Sequence, residues 1–362
     1  MRKIVSVAII IAVLLPGSLF HDMILLMILL WMWRSEVKEW LDSKWKYAYC
    51  ALWIFAWGLT LVLMPRPFSL PTDRVKLVYF NDENKRVGAP LHHWLFNLIF
   101  PEETICAIGS VAPLTPFRQL LPIGESILKD YDTELRTSGL LKVGANYRKN
   151  DFALESPMSG VVPQGFNEIF GEKTRAFYVI KPKNYDKDRK YPVLFFAHGY
   201  LGNWKLYTGL LRNIENHIIV NIGTEDLSGI FTNRHIREIK TTYIPLLEEM
   251  GYNVDKNQLS LMGLSNGGSA IDIAYSTSPD DFKNLIYVST GVNQSRHTKA
   301  KVMVIGGGLD HCAPSMRHGM AQLKRNRQKS AFLFDENHTH LKLLSDDTNC
   351  IKFLNSELLA KE

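Results

Sequence analysis

The amino-acid sequence predicts an α/β fold: a mostly parallel sheet covered by helices on both faces, preceded by transmembrane helices. From residue 174 onward, short runs rich in β-branched and aromatic residues alternate with segments of helical period. The start of the chain instead carries long apolar runs with few charges. The sequence therefore divides into an anchoring region, 1–66, a linker or substrate-covering region, 67–155, and a folded domain, 156–362.

Seven runs predict the strands of the sheet. Each is bounded by turn residues and has the composition typical of strands. Near-continuous apolar runs flanked by helices indicate parallel strands that are buried on both faces. In such sheets, functional residues collect beyond the carboxyl ends of the strands. The runs cover residues 175–180, 192–199, 217–223, 259–265, 284–290, 301–308 and 330–336.

Helices are predicted between these strands. Apolar residues recur at helical spacing from Ile236 to Met250, and Gly251 then supplies a C-terminal stop. Further helical segments are predicted over residues 204–214, 267–276, 315–327 and 347–360.

Composition narrows the classes of partner and cofactor. Of the 362 residues, 46% are hydrophobic and 22% are charged, which fits a chain that buries a core. The net charge of +6 is mild and the basic residues are scattered, so nucleic acid is not an expected partner. The four cysteines are far apart and form no CxxC pattern, which indicates neither a zinc site nor a disulfide framework. No metal or organic cofactor is predicted, and the oligomeric state is left open.

Two apolar runs predict membrane anchoring. Residues 4–33 carry one formal charge, Asp22; about 20 residues suffice for one bilayer crossing, so this run is too long for one upright helix and marginal for two. Residues 47–65 are rich in tryptophan and tyrosine, which favour the membrane interface. A cleaved signal peptide is disfavoured, because no small-residue cleavage site follows the first run. The lysines and arginines of residues 34–46 favour a cytoplasmic loop, which would place the folded domain outside the cytoplasm.

The stretch GLSNGG, residues 263–268, is the strongest motif of the chain. It matches G-x-S-x-G between a predicted strand and a predicted helix, which is the context of a nucleophile elbow. Glycines permit a tight, strained turn that presents the serine hydroxyl clear of the sheet. The helix that follows directs its positive end at the site. We therefore interpret Ser265 as a nucleophile rather than as part of a plain turn.

A serine nucleophile needs a base, and the base needs an acid that orients it. Asp310 follows a predicted strand and is interpreted as the acid rather than as a helix cap, with Asp226 as a less suitable alternative. The loop after the last strand offers His338 and His340. His340 is preferred because several residues usually separate this strand from the base. His311, next to Asp310, is expected to point elsewhere if Asp310 faces the site, and it is interpreted as structural or solvent-exposed.

Backbone N–H groups must also stabilise the negative charge that develops on an attacked carbonyl. The N–H of Asn266, next to the nucleophile, is one predicted donor. The N–H of Tyr200, in the loop after the strand at 192–199, is the other. His198 in that loop is expected to be packed and hydrogen-bonded rather than catalytic.

Residues 155–362 resemble the α/β-hydrolase superfamily. The stretch KPKNYDKDRKYPVLFFAHGYLGNW, residues 181–204, is similar to the corresponding part of esterase members. The resemblance implies a serine hydrolase whose functional residues are Ser265, Asp310, His340 (or His338), and the backbone of Tyr200 and Asn266. Two features depart from the family: little sequence separates the strands at 284–290 and 301–308, and residues 67–155 match no known cap.

The predicted function is that of a membrane-anchored, lipase-like serine esterase. It would cleave carboxylic esters through an acyl-enzyme, and its position suggests a small-molecule ester, a lipid or an acylated envelope component as the substrate. An acyltransferase or serine peptidase with the same triad is the first alternative. A catalytically silent membrane interaction protein is the second.

Overall fold

Nine β-strands of the described chain form one sheet, in the order β2-β1-β3-β5-β4-β6-β7-β8-β9. The computed structural model describes residues 5–7, 9, 19–35, 51, 53–55, 74–88, 90, 173–199, 207, 210–224, 229–294, 297–340 and 342–360. The strands are β1 (Val75–Phe80), β2 (Arg86–Val87), β3 (Arg175–Ile180), β4 (Tyr191–Ala197), β5 (Ile218–Ile222), β6 (Val254–Leu264), β7 (Asn284–Val288), β8 (Lys301–Gly307) and β9 (Ser330–Asp335).

The predicted mostly parallel sheet is confirmed. Strands β4 to β9 pair in parallel, and β3 is antiparallel to β5. Each of the seven predicted runs contains a strand. β6 begins at Val254, earlier than the predicted residue 259, and residues 256–258 of the extension are exposed. After Val254, that extension lacks the apolar side chains by which the buried part was recognised.

A hairpin from the region 67–155 extends the sheet. β1 pairs antiparallel with β3 over its full length, and β2 folds back onto β1. The Arg175 guanidinium on β3 lies 4.6 Å above the ring of Phe80 on β1. Arg175 also donates to both carboxylate oxygens of Glu238 at 2.8 Å, which ties this edge of the sheet to a helix.

Helices lie in the first apolar run, in predicted connections between strands, and after the last strand. They are α1 (Leu19–Met32), α2 (Asn233–Glu238), α3 (Ile244–Glu249), α4 (Gly268–Thr277), α5 (Ala313–Arg325), α6 (Lys342–Ser345) and α7 (Asp347–Leu359). A π-helical segment, Ile239–Tyr243, joins α2 to α3. Pro245 in the first turn of α3 has no N–H to donate, and the N–H of Ile244 reaches back to Ile239, which widens the helix here. Of the predicted helix 204–214, only part lies among the described residues.

Side chains of alternate sheet residues pack into two apolar clusters, one on each face. Leu261 of β6 joins the cluster under α2 to α5. Met262, the next residue, joins the cluster with α6 and α7. This alternation follows the period of two along a strand and confirms that helices cover both faces.

In the described part of the chain, no helix combines the length and the apolarity that a bilayer crossing requires. α1 lies in the first apolar run and has 14 residues. Most of the second run, and the region 67–155 apart from residues 74–88 and 90, lie outside the described residues.

Candidate active site

The predicted nucleophile lies at the carboxyl end of β6. The strand passes directly into a 3₁₀ turn, Ser265–Gly267, and then into α4. The φ angle of Ser265 is 52°, a left-handed conformation that costs a non-glycine residue roughly 1–3 kcal/mol. A side chain at Gly263 would collide with the Gly267 carbonyl, and one at Gly267 would collide with the Ala197 carbonyl. The two glycines are therefore needed for the turn to pack on itself and against the end of β4.

The loop after β4 lies against this turn. A Cβ atom at Gly199 would lie 3.0 Å from Cβ of Ser265. The buried His198 ring accepts from the N–H of Thr224 at Nε2, at 3.3 Å, so Nδ1 carries the proton. That proton is donated to the Gly199 carbonyl at 2.7 Å. As predicted, His198 is a packed, hydrogen-bonded residue that fixes the course of this loop.

Of the two predicted oxyanion donors, Tyr200 lies outside the described residues. Asn266 is the second residue of the 3₁₀ turn, and its N–H remains a predicted donor. The Asn266 carbonyl accepts from Oγ of Ser269 at 2.8 Å, while that Oγ accepts from the N–H of Phe231 at 2.9 Å. Ser269 therefore joins the turn to the segment before α2. Sequence reasoning missed it, since an isolated serine in a helix carries no pattern.

Asp310 and His340 are in direct contact. Asp310 follows β8 and is only 4% exposed, whereas His340 lies in the loop after β9. Nδ1 of His340 is 3.1 Å and 3.0 Å from the two carboxylate oxygens. The N–H of Cys312 also donates to Asp310, at 2.8 Å. Burial alone would raise the pKa of Asp310, but the bonds from His340 and Cys312 outweigh it and lower the pKa below its ordinary value.

His338, the alternative base, faces a different group of side chains. Its Nε2 is 3.5 Å from a carboxylate oxygen of Asp335 and 3.8 Å from one of Asp346. The Asp346 carboxylate accepts from the Lys342 ammonium at 2.7 Å. The structure therefore places His340 at Asp310 and places His338 in a separate ionic cluster.

His311 is exposed, as expected, but it also contacts the acid–base pair. Nδ1 of His311 lies 3.3 Å from Asp310, and its ring lies 4.7 Å from that of His340 at an angle of 34°. Half-buried Cys312 follows, and burial, with the nearby Asp310 carboxylate, raises the pKa of its thiol to about 11. The expectation that His311 points away from Asp310 was wrong. The turn before α5 directs two consecutive side chains to one place, which residue spacing alone does not reveal.

The sheet order relates Ser265 to this pair. β6, β7, β8 and β9 are adjacent and parallel, so Ser265, Asp310 and His340 follow strands that end at one edge. Neighbouring strands lie about 4.8 Å apart, which puts the ends of β6 and β8 on the order of 10 Å apart. An imidazole and a serine side chain together can span such a gap. Asp226, the other acid considered, lies outside the described residues.

The described residues supply several of the parts that nucleophilic acyl chemistry uses. A strained serine precedes a helix N-terminus, a buried carboxylate contacts an imidazole at Nδ1, and Gly199 of the loop after β4 lies beside the serine. These are the parts that activation of a hydroxyl and stabilisation of an oxyanion require.

Comparison with known proteins bears on the same part of the chain. The model of the esterase family, described as "Putative esterase", matches residues 169–358, which is more than half of the sequence. This range contains Ser265, Asp310 and His340. Among curated proteins, none matches the sequence significantly.

Several solved structures are similar over the same domain. A thermostable esterase shares 18% identity over 49% of this chain and 58% of its own, with a TM-score of 0.40. A fungal esterase from Rhizomucor miehei shares 14% identity over 52% of this chain and 79% of its own, with a TM-score of 0.41. An acylaminoacyl peptidase from Pyrococcus horikoshii shares 16% over 52% and 40%, with a TM-score of 0.39. The chain thus spans little more than half the length of the thermostable esterase.

Proposed function

This chain belongs to the esterase family, and we propose that it cleaves carboxylic esters as a serine hydrolase through Ser265, His340 and Asp310. Membership of the family supports ester hydrolysis as the activity. The observation that carries the proposed mechanism is the 3.0 Å contact between Nδ1 of His340 and the buried Asp310 carboxylate. Because the carboxylate accepts a hydrogen bond, the proton belongs on Nδ1, and the lone pair of Nε2 is left to act as the base.

Acylation begins when Oγ of Ser265 attacks the ester carbonyl carbon and Nε2 of His340 takes the hydroxyl proton. The carbonyl oxygen becomes an oxyanion, which would accept hydrogen bonds from the N–H groups of Asn266 and Tyr200. The ionised Asp310 stabilises the imidazolium that forms at that moment. Collapse of the tetrahedral intermediate breaks the ester C–O bond, and His340 returns its proton to the leaving alcohol.

Deacylation repeats these steps with water as the nucleophile. His340 takes a proton from the water, the hydroxide oxygen attacks the acyl carbon, and the bond to Oγ of Ser265 breaks. The serine recovers its proton from His340 as the acid product leaves. The strained φ of Ser265 is consistent with a side chain held in place before substrate binds, which reduces reorganisation during attack.

Covalent labelling tests the nucleophile. A fluorophosphonate probe should label the full-length wild type and leave Ser265→Ala unlabelled. Ser276→Ala is the matched control, since this serine lies on the exposed side of α4 in the same part of the chain. A folded wild type that resists the probe would favour the silent interaction protein, and labelling that survives in Ser265→Ala would place the nucleophile elsewhere.

The proposed substrates are esters of small molecules or lipids near a membrane surface. The support for this proposal is the pair of apolar runs in the first 66 residues, together with the ester chemistry of the family. Rates for a series of p-nitrophenyl esters of rising acyl length would report the depth of the acyl pocket. A rate that falls steadily beyond the acetyl ester would argue against a lipid substrate.

We also propose that the first 66 residues attach the protein to a membrane, with the hydrolase domain outside the cytoplasm. The apolar length of residues 4–33 and 47–65 supports attachment. The full chain should sediment with membranes and be released by detergent but not by alkaline carbonate. Protease added to intact cells or sealed vesicles of known orientation would determine the side on which the domain lies.

A further inference from the structure

We propose that Asp310, His311, Cys312 and His340 form a site for a borderline-soft divalent cation such as Zn²⁺, and that an ion bound there switches off the base. Binding itself follows from the four side chains alone. Only its consequence for activity rests on the proposed function.

The geometry suits a tetrahedral ion. Each of the four residues offers one donor atom, and these atoms all lie within 4.8 Å of one another. Zinc bonds of about 2.0–2.3 Å place tetrahedral ligand atoms roughly 3.3–3.8 Å apart. Two separations to the same carboxylate oxygen, Oδ1 of Asp310, already lie close to that range: Nδ1 of His340 at 3.1 Å and Nδ1 of His311 at 3.3 Å. The His311 side chain is 61% exposed, so its rotation can close the remaining gaps without disturbing the core.

Three of the four ligands are held in place by one turn. Asp310, His311 and Cys312 are consecutive between β8 and α5, and the N–H of Cys312 donates to the Asp310 carboxylate at 2.8 Å. The N–H of Ala313 donates to the Asp310 carbonyl at 2.9 Å. The turn therefore brings its donors together, and His340 joins them from the loop after β9. A remote histidine beside a consecutive Asp-His-Cys is not recognised by the usual spacings of cysteine pairs.

The donor set selects the ion. Two imidazoles, a thiolate and a carboxylate match the ligands of Zn²⁺, whereas Mg²⁺ and Ca²⁺ take oxygen ligands. The Cys312 thiol gives up its proton to solvent as the sulfur bonds to the ion. The ion also contacts the Asp310 carboxylate, which neutralises part of its charge.

An ion bound here changes which ring nitrogen of His340 carries the proton. In the proposed catalytic form of His340, Nδ1 carries the proton and the Nε2 lone pair accepts the proton of the serine. When Nδ1 instead donates its lone pair to the ion, the ring proton resides on Nε2. Nε2 then has no lone pair with which to take the proton of Ser265. The Asp310 carboxylate is also drawn to the ion, so inhibition is expected to be complete and to reverse when a chelator removes the ion.

Cobalt absorption tests binding independently of activity. Co²⁺ added to the full-length Ser265→Ala protein should produce the near-ultraviolet thiolate-to-cobalt band and the visible bands of a tetrahedral ion. Cys312→Ser should lose the thiolate band, and His311→Ala should weaken binding by roughly tenfold or more. His318→Ala, an exposed histidine further along α5, is the matched control and should bind normally. Unchanged spectra in Cys312→Ser and His311→Ala, or no tetrahedral spectrum in the parent, would overturn the site.

Inhibition tests the switch. Zn²⁺ should abolish p-nitrophenyl acetate hydrolysis by the wild type, and EDTA should restore it. With the activity of each variant expressed relative to its own metal-free rate, His311→Ala should require roughly tenfold more Zn²⁺ or more for half-inhibition. Cys312→Ala provides a second variant if Cys312→Ser unfolds. Equal sensitivity of both variants and the wild type would overturn the switch, as would Zn²⁺ binding without inhibition. A wild type that is inactive without metal but gives the cobalt spectrum would instead refute the proposed function and leave the site standing.

Discussion

His338 and His340 flank Thr339, and each lies near an aspartate. The distances from the two histidines to their aspartates differ. His340 contacts the Asp310 carboxylate at 3.0 and 3.1 Å. His338 lies 3.5 Å from Asp335 and 3.8 Å from Asp346, beyond the length of a strong charge-assisted hydrogen bond. The same residue type in the same loop therefore makes one tight pair and one loose pair.

The difference comes from the carboxylates. Asp310 is buried, and the described groups that contact its carboxylate include the two imidazoles and the N–H and thiol of Cys312. Asp346 is shared with the Lys342 ammonium, which lies closer to it than His338 does. A carboxylate that binds an imidazole at short distance can fix the tautomer of that imidazole. A carboxylate that already pairs with a lysine binds a neighbouring histidine less tightly. This contrast teaches that the partner, more than the position in the loop, distinguishes a base from a structural histidine.

Alanine substitution of each histidine is the strongest test of the difference between them. His340→Ala is expected to lower kcat by about 10⁵-fold, because no group remains to take the serine proton. His338→Ala should lower it by less than roughly tenfold, since it loosens an ionic cluster outside the proposed triad. Steady-state hydrolysis of p-nitrophenyl acetate measures both variants, and circular dichroism confirms that both are folded. Equal losses in the two variants would refute the assignment of the base.

Substitution of the two aspartates should show the same contrast, with a smaller fall in kcat than substitution of the histidines. Asp310→Asn keeps the shape of the side chain but removes the charge that holds Nδ1–H, so kcat should fall about 10³- to 10⁴-fold. Asp335→Asn is the matched change beside His338 and should leave kcat within a few fold. Pre-steady-state bursts would show whether acylation is the step affected. A fall in Asp335→Asn that matches the fall in Asp310→Asn would contradict the contrast drawn above.

The sequence predicted much of the sheet because the strands carry their own signal. Residues 175–180 and 284–288 have apolar side chains for both faces, and such runs can be recognised without knowledge of their neighbours. The hairpin of β1 and β2 was not assigned, although β1 reads Val-Lys-Leu-Val-Tyr-Phe. It lies in a proline-rich region, and its partner β3 is about a hundred residues away, so only long-range pairing identifies it.

The candidate site divides in a similar way. Ser265 could be named from its motif, and Asp310 and His340 from their order after successive strands. The contacts of His311, Ser269 and the cluster around Lys342 could not be predicted, since they depend on the direction of side chains in turns. The role of Ser265 as the nucleophile remains a prediction that labelling can test.

Loss of Lys342 should separate stability from activity. Its side chain is 1% exposed and donates to Asp346 at 2.7 Å. Lys342→Met removes one member of a largely buried pair, and because Asp346 keeps some solvent, the free energy of unfolding should fall by about 1–3 kcal/mol. The kcat should stay within roughly twofold, because Asp310 and His340 are untouched.

Lys240→Met is the control for this variant. Lys240 pairs with Asp281 on the surface, where such a pair contributes about 0–1 kcal/mol. Urea unfolding of the two variants and the wild type gives the comparison. A cost in Lys342→Met no greater than that in Lys240→Met would mean that the cluster around His338 adds little to stability.

The smallest expected effect is on the pH dependence of the free energy of unfolding. The pKa of Asp310 in the folded protein lies below its ordinary value of 3.8, so its ionised form favours folding. That contribution is present above pH 3.8 and is lost as the pH falls through the lower folded pKa. The difference in free energy of unfolding between wild type and Asp310→Asn should therefore narrow as the pH falls below 3.8.

Urea unfolding at several pH values measures this difference. Asp280→Asn, on an exposed turn, is the control for removing one carboxylate. If the difference instead widened in acid, Asp310 would be protonated more readily in the folded state than in the unfolded chain, and its hold on His340 at neutral pH would be weaker than its contacts imply.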